Sequence, residues 1–197
     1  MRRAALCLAL FAALAGAPAL AQVKLTPAAP GATAAPNPAG LTIEIVPGYE
    51  VEVGGRVWFK VTSKQPGYLV LVDIDATGAL RQIYPNLQSL RIPLGGSGDS
   101  NKVTPGKTVT VPDPQSPIAN FEFIAEAPPG PGMVVALLSP QPVQLVDLPE
   151  VPREALGTPA AAEFVYAAAQ SLRIAAGENH RLVDPAWSLA ALYYTIR

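Results

Sequence analysis

Two aspartates and a glycine between residues 73 and 78 have the spacing of residues that bind calcium. Asp73, Asp75 and Gly78 match the first, third and sixth positions of an EF-hand loop. The twelfth position of that loop requires a bidentate glutamate, and Tyr84 stands there instead. We therefore expect no metal site. We interpret these residues as a hairpin turn, because Asp and Gly tolerate the backbone angles that tight turns require.

A glycine- and serine-rich stretch further along the chain contains fragments of serine-hydrolase motifs. Gly98-Asp99-Ser100 matches the nucleophile segment of chymotrypsin-like proteases, and residues 95–98 begin a G-x-S-x-G pattern. Asp99 occupies the position of the closing glycine in that pattern. The single histidine, His180, follows these serines, whereas it precedes the serine in the chymotrypsin-like order. We therefore expect no catalytic residue.

Metal and cofactor sites have little support in the sequence. A zinc site needs about three or four His, Cys or carboxylate ligands, and the chain has one histidine and one cysteine. The glycine patterns that bind nucleotide phosphates are absent from the sequence. We therefore expect no cofactor. A carboxylate pair for glycoside hydrolysis stays open, since any two acids can converge in space, but no spacing favours a particular pair.

The first 21 residues have the pattern of a secretory signal peptide. Arg2 and Arg3 precede an apolar run over residues 4–15, which is too short to span a bilayer, and Ala19-Leu20-Ala21 fits the small-x-small cleavage rule. We place cleavage after Ala21 and expect a periplasmic or secreted protein. The only cysteine, Cys7, lies in the apolar run, so the mature chain would contain no thiol.

The charge of the chain argues against two classes of partner. Lysine and arginine total 14, aspartate and glutamate total 15, and the formal net charge is −1. This balance, with no basic cluster, argues against binding to nucleic acid or to an anionic membrane surface. After the signal peptide no apolar run is long enough for a membrane helix, so we expect no integral membrane segment.

Alternation of apolar and polar residues predicts a β-sandwich over residues 41–148. Residues 22–40 are rich in Ala and Pro and predict a linker before it. Strands in series with no helix between them predict antiparallel pairing, and we expect an immunoglobulin-like sandwich. The 87–106 loop interrupts the series, and we expect a disordered segment or a plain insertion there more than a functional loop. The seven candidate strands are 41–45, 57–61, 68–72, 79–84, 109–111, 121–125 and 133–138.

Residues 149–197 predict a Pro-rich connection, one helix and a last strand, all packed on the sandwich. Thr158 is the candidate N-cap, Pro159 the first helical residue, and Gly177 the stop after a helix over residues 160–176. We expect an apolar stripe of this helix to face the sandwich, formed by Phe164, Ala168, Leu172 and Ala175. The final run, 187–196, is ambiguous, and its tyrosines and β-branched residues favour a strand.

The tripeptide Tyr84-Pro85-Asn86 is predicted to be a corner and not a binding site. Pro85 has no N–H for a sheet hydrogen bond, so the strand must end or turn away there. Asn86 can then bond the backbone that follows it and fix the exit of the chain.

Six aromatic residues are candidates for a carbohydrate-stacking platform. Most of them lie inside apolar strand patterns, so we expect most to pack in the core. They are Trp58, Tyr68, Tyr84, Trp187, Tyr193 and Tyr194.

The hairpin and corner together resemble a known family. Gly67-Tyr68-Leu69 leads into an apolar strand that ends at Asp73, a turn follows at Gly78, and a second strand ends on Tyr84-Pro85-Asn86. This arrangement resembles the domain of unknown function 4384. Similar downstream pieces extend the resemblance over about residues 57–140, with residues 90–100 as an insertion. These pieces are Asn101, Gly106, Val111-Pro112, residues 121–127, Pro128-Pro129-Gly130 and residues 133–139.

The resemblance implies a β-rich module of unknown activity. Members of this family are often appended to kinase-like or caspase-like domains. No such domain is visible in this sequence, so the resemblance implies no catalytic residues and suggests a free-standing exported copy.

From these observations we expect a non-catalytic interaction or accessory module of the cell envelope, whose partner is an envelope protein or a glycan. A carbohydrate- or peptidoglycan-binding module is the alternative. A hydrolase with an unrecognised site is the third possibility.

Overall fold

The computed structural model describes residues 36–86, 100–113, 122–176 and 181–197 of the chain. The predicted signal peptide and most of the predicted linker lie outside these residues. So do most of the 87–106 loop, Asp99 of the serine motif, Phe121 of a predicted strand, the predicted helix stop Gly177, and His180.

The described residues form two main sheets, a two-stranded ribbon, one α-helix and one 3-10 turn at Arg153–Ala155. The helix, α1, covers Pro159–Ser171. The strands are β1 (Thr42–Val46), β2 (Glu50–Val51), β3 (Arg56–Thr62), β4 (Gly67–Ile74), β5 (Leu80–Tyr84), β6 (Lys102–Val103), β7 (Val109–Val111), β8 (Phe123–Ile124), β9 (Gly130–Ser139), β10 (Ile174–Ala176), β11 (Arg181–Val183) and β12 (Ser188–Ile196).

The large sheet has the strand order β2-β12-β9-β4-β5, and β6 pairs with the beginning of β4. β9 lies antiparallel to both β4 and β12, whereas β2 joins β12 in parallel. The small sheet has the order β1-β3-β7, and β8 pairs with the beginning of β3. β10 and β11 form the separate ribbon.

Both faces of the large sheet are buried, which explains why β4, β9 and β12 are apolar almost throughout. The inner face packs against the small sheet, and its core includes Phe59, Leu69, Leu71, Val134, Ala136 and Leu192. The outer face is covered by the chain that follows β9 and by α1, and its core includes Val70, Val72, Leu137, Leu148, Val165 and Leu189. Because successive side chains of a strand point to opposite faces, a doubly covered strand is expected to be apolar at most of its positions.

The predicted fold class is confirmed at the level of a mainly β protein with antiparallel sheets, one helix and a last strand. An immunoglobulin-like sandwich is not confirmed, because β2 pairs in parallel and a helical layer covers the outer face of the large sheet. The predicted strand at 187–196 is present as β12. β2, β6, β10 and β11 were not predicted, since two or three residues are too few to show a period.

The helix is shorter than predicted and presents a different stripe. It ends at Ser171, and Ala175 of the predicted stripe lies in β10. The fully buried residues are Ala161, Ala162, Val165 and Ala169, while Phe164, Ala168 and Leu172 are only half-buried at its margin. Alanine and valine on the central stripe let the helix approach the sheet closely, and the larger side chains then fill the sides.

The start of the helix also differs in its capping. Pro159 occupies the first helical position, as predicted. The hydroxyl of Thr158 does not cap the helix, because it donates a hydrogen bond backward to the carbonyl oxygen of Ala155 at 2.7 Å. This bond ties the helix to the preceding 3-10 turn.

Candidate functional site

The turn between β4 and β5 is organised by Asp75. Its Oδ1 atom accepts hydrogen bonds from the backbone N–H of Thr77 at 2.7 Å, from the hydroxyl of Thr77 at 2.6 Å, and from the N–H of Ala79 at 3.1 Å. Gly78 follows with a φ of +90°, a conformation that favours glycine. This oxygen therefore acts as the hydrogen-bond acceptor that closes the turn.

Gly78 also holds the turn against the chain that covers the outer face. A Cβ atom at this position would lie 2.3 Å from the carbonyl oxygen of Val151. The carbonyl oxygen of Gly78 accepts a hydrogen bond from the N–H of Val151 at 3.1 Å. The turn glycine thus serves two purposes, a positive φ and a close backbone approach.

Asp73 lies in β4, outside the turn, and its side chain is directed between the two sheets. It shares this face of β4 with the core residues Leu69 and Leu71. Arg81 is its direct partner across the hairpin, on β5. Only 2% of Asp73 is exposed. An acid in such a place needs specific partners, because burying an unpaired charge is costly.

Tyr194 supplies the first partner from two strands away. Its hydroxyl donates a hydrogen bond to Oδ1 of Asp73 at 2.7 Å. The ring passes over Gly132 of β9, which is paired with Tyr194. A Cβ atom on Gly132 would lie 2.5 Å from Cζ of Tyr194. The absence of a side chain at Gly132 is therefore what lets the Tyr194 side chain of β12 reach Asp73 of β4 across β9.

Arg81 supplies the second partner, at longer range. Its guanidinium lies 3.8 Å from Oδ2 of Asp73 and 3.8 Å from the carboxylate of Glu126. It also lies over the ring of Phe123, 5.5 Å from the ring centre. The arginine side chain is 53% exposed, so its attraction to Asp73 is partly screened by water.

Burial changes the acidity of both members of the Asp73–Tyr194 pair. Removal from water raises the pKa of Asp73 from 3.8 to about 7, although the hydrogen bond from Tyr194 and the charge of Arg81 lower it in part. Burial, and then the charge of Asp73, also raise the pKa of the Tyr194 hydroxyl. Asp73 therefore changes its charge close to neutral pH.

A small cavity opens beside this pair, and we call it the pocket. Its volume is about 160 Å³. Its walls combine ionisable and apolar side chains from β4, β5, β8 and β12. They are Asp73, Asp75, Ala79, Arg81, Phe123, Ile124, Ala125, Glu126, Ala127, Tyr194 and Ile196. Small-molecule sites usually measure about 300–1,000 Å³, so the pocket has room for one functional group and not for a whole substrate.

The predicted corner lies apart from the pocket. Pro85 is buried and follows a cis peptide bond, and its carbonyl oxygen accepts a hydrogen bond from Nε2 of Gln82 at 2.9 Å. The hydroxyl of Tyr84 donates to the carbonyl oxygen of Ser100 at 3.3 Å, and burial raises the pKa of this tyrosine. Asn86 is half-buried. Its role as a corner residue stays a prediction.

The beginning of the hairpin is fixed by close contacts with the neighbouring strand. A Cβ atom on Gly67 would lie 2.8 Å from the carbonyl oxygen of Ser139. Tyr68 is buried, and the ammonium of Lys102 lies 5.7 Å from the centre of its ring. Asn101 bridges this region, since its Nδ2 donates to the carbonyl oxygens of Leu69 and Val143.

The aromatic residues do not form an exposed row within the described parts of the chain. Tyr68, Trp187, Tyr193 and Tyr194 are buried. Trp58 and Tyr84 are half-buried. This distribution agrees with the expectation that most of them pack in the core.

No sequence motif marks Tyr194, Arg81, Glu126 or Gly132 as parts of a site. One signal was present, because Asp73 stands in a strand that is otherwise apolar on both faces, and such an acid needs a buried partner. The identity of the partner was out of reach, since it depends on the register between β9 and β12.

Comparison with known proteins finds a family model that matches part of the chain. Residues 50–142 match the model of the family described as Domain of unknown function (DUF4384). The resemblance found in the hairpin motif is thereby confirmed. No curated protein and no solved structure matches the chain. The DUF4384 segment contains Asp73, Arg81 and Glu126, whereas Tyr194 lies beyond it, so the pocket is built by both parts of the chain.

Two further observations concern the described ranges alone. They contain no group of three or more His, Cys, Asp or Glu side chains arranged to hold a metal ion. Neither of their helical segments has the length and apolar character needed to span a membrane.

Proposed function

We propose that this protein is an exported, non-catalytic interaction module of the cell envelope, which docks a protein partner on the surface around the pocket. The sequence supports export through the signal-peptide pattern of residues 1–21. The observation that carries the docking proposal is the composition of this surface.

Three segments meet at the end of the sandwich that contains the pocket, and each presents an exposed apolar side chain. Tyr49, Val53 and Ile124 are 43%, 47% and 40% exposed. The N–H of Thr195 donates to the carbonyl oxygen of Tyr49, which places the first segment beside the end of β12. We call the pocket together with Tyr49, Val53 and Ile124 the pocket end.

Hydrogen bonds connect the segment of Val53 to the chain end after β12 and to the segment of Ile124. The N–H of Val53 donates to the carbonyl oxygen of Arg197 at 2.9 Å, and the N–H of Gly54 donates to that of Ala125 at 2.8 Å. Ile124 itself lines the pocket. The apolar residues are therefore carried by neighbouring pieces of backbone.

Three ion pairs accompany these apolar residues. They are Arg197 with Glu50, Arg56 with Glu122 at 3.2 Å, and Arg81 with Glu126 at 3.8 Å. All six of these side chains are at least 48% exposed. An apolar centre with a charged, solvated rim is the usual anatomy of a protein interface. Exposed ion pairs add little stability to a fold, so their concentration here supports a role in recognition.

The two alternative functions, carbohydrate binding and hydrolysis, receive less support. A carbohydrate platform needs exposed aromatic rings, and four of the six candidates are buried. A hydrolase needs room for a substrate beside its reacting groups, and the pocket measures only about 160 Å³. The immunoglobulin-like relationship of the sandwich also stays a proposal, since the confirmed description is a mainly β fold.

Affinity capture from an envelope extract tests the proposal. The full exported chain, an Ile124→Glu variant and a Leu182→Glu variant serve as bait. Leu182 is the matched control because it is 66% exposed and lies in the β10–β11 ribbon. We expect a partner that the wild type and Leu182→Glu retain and Ile124→Glu loses. Equal capture by all three baits, or capture of glycan alone, would contradict docking at the pocket end.

A further inference from the structure

We propose that the pocket binds the primary ammonium group of an alkylamine, such as the lysine side chain of a partner protein. This inference rests on the proposed function for the identity of the partner, since it assigns a chemical group to the same surface. The affinity of the pocket for an amine is a separate property that can be measured without the partner.

The charge of the pocket favours a cation. Its ionisable walls comprise three carboxyl groups, on Asp73, Asp75 and Glu126, and one guanidinium, on Arg81. Arg81 is shared between Asp73 and Glu126, at 3.8 Å from each. Once Asp73 is ionised, one arginine therefore faces more negative charge than it can balance, and an entering cation would reduce this excess.

Asp73 retains an acceptor that the described residues do not fill. Its Oδ1 atom accepts the hydrogen bond from Tyr194, while its Oδ2 atom is paired with the guanidinium of Arg81 at 3.8 Å, a distance longer than a hydrogen bond. The side chain is 3% exposed and lines the pocket. An ion pair at 3.8 Å leaves room for a closer, charge-assisted hydrogen bond to this oxygen, so it is suited to an incoming N–H donor.

The apolar walls select an amine that carries a hydrocarbon stem. Phe123, Ala125 and Ile196 line the same cavity and can cover methylene groups. A bare inorganic cation would gain nothing from these walls. The ring of Phe123 already lies under Arg81, so the new cation is expected to lie near Asp73 and Glu126.

Binding should depend on pH near neutrality. Asp73 is faced by Tyr194 from β12, Arg81 from β5, Asp75 from the turn and Glu126 from the segment after β8. Burial raises the pKa of Asp73 to about 7, so the carboxylate becomes fully charged only above that pH. Amine affinity should therefore rise as the pH increases through this range, while the amine itself stays protonated.

The test is an NMR titration of the full exported chain with n-butylamine hydrochloride. Butan-1-ol is the neutral control for the stem, and sodium chloride at equal concentration is the control for screening. Asp73→Asn removes the acceptor charge with little change of shape, and Glu44→Gln removes a carboxylate that is paired with Lys60 outside the pocket.

We expect saturable shifts at Asp73, Arg81 and Glu126 with n-butylamine. The amine should also lower the apparent pKa of Asp73. Asp73→Asn should weaken binding by at least about tenfold, whereas Glu44→Gln should bind as the wild type does. Equal shifts with butanol or sodium chloride, or unchanged amine binding in Asp73→Asn, would overturn the proposal.

The amine titration and the partner capture fail independently. If Ile124→Glu loses the partner but no amine binds, the docking surface stands and the ammonium assignment is wrong. If the amine binds as expected but all baits capture the same material, the pocket chemistry stands and docking at the pocket end is wrong.

Discussion

The two faces of the large sheet are closed by different parts of the chain and to different degrees. The outer face is covered by the segment after β9 and by α1, and its apolar core includes Leu148, Val165 and Trp187. The inner face is covered by the small sheet, and its apolar core ends at a pocket that contains Asp73 and Arg81. The same strands therefore border an apolar core on one face and a polar pocket on the other.

This difference follows from where hydrogen-bonding partners are available. On the outer face the sheet meets a helix, which satisfies its own backbone and offers mainly alanine and valine. On the inner face a pocket lined by β8 lies beside Asp73, and Tyr194 and Arg81 supply polar partners there. The polar site therefore lies on the inner face, where the pocket gives polar side chains access to water.

The largest expected effect comes from removing the cover of the outer face. Truncation after Leu148 deletes α1 and also β12, which lies between β9 and β2 in the sheet. Large apolar side chains would then face water, at about 1.5–3 kcal/mol each. We expect aggregation, measured by size-exclusion chromatography. A monomeric truncated protein with the wild-type melting temperature would contradict the role of the tail as part of the fold.

A single substitution sharpens this prediction. Val165 is 1% exposed on the sheet-facing side of α1, and Ala167 is exposed on the same helix. Val165→Asp should lower the melting temperature strongly, because it buries a charge without a partner. Ala167→Asp should change the melting temperature little, and equal losses in the two variants would show that the helix does not pack as described.

The next effect is a pH dependence of the free energy of unfolding, caused by Asp73 on the inner face. The folded pKa of Asp73 is about 7 and its ordinary value is 3.8. Between these values the folded state holds a proton that the unfolded state has released, so the free energy of unfolding falls as the pH rises through this window. The slope has a limit of about 1.4 kcal/mol per pH unit.

Asp73→Asn should remove this contribution, because asparagine has no proton to release. Urea unfolding of both proteins across the window gives the comparison. The difference in stability between variant and wild type should grow with pH and then level off above about pH 7. A constant difference would show that Asp73 keeps its ordinary acidity in the fold.

A smaller effect is expected at Gly132, which leaves room for the Tyr194 ring to reach Asp73. In Gly132→Ala the new methyl group would collide with Tyr194, whose Cζ lies 2.5 Å from the Cβ position. Displacing the ring and its hydrogen bond to Asp73 should cost about 1–3 kcal/mol in the free energy of unfolding. Gly48→Ala is the control, since a Cβ atom there meets nothing within 4 Å. Equal stability of the two variants would mean that the ring has room to move.

Much of the sheet region was predictable, because alternation and doubly apolar runs report how many faces of a strand are covered. The run in β4 and the last strand β12 are examples. The stripe of α1 was wrongly predicted from its larger residues, since close packing on a sheet favours the small ones. The local pattern groups Asp73 with the turn, because its partner Tyr194 lies 121 positions away in the chain and no local pattern reports such a pairing.

The most direct test of the account is the pKa of Asp73, measured by carbon-detected NMR in the full chain. We predict a value near 7, together with a further rise in Tyr194→Phe, because the tyrosine hydrogen bond favours the ionised carboxylate. A value near 3.8 in the wild type, or a pKa that falls or stays the same in Tyr194→Phe, would contradict a buried acid held by the last strand.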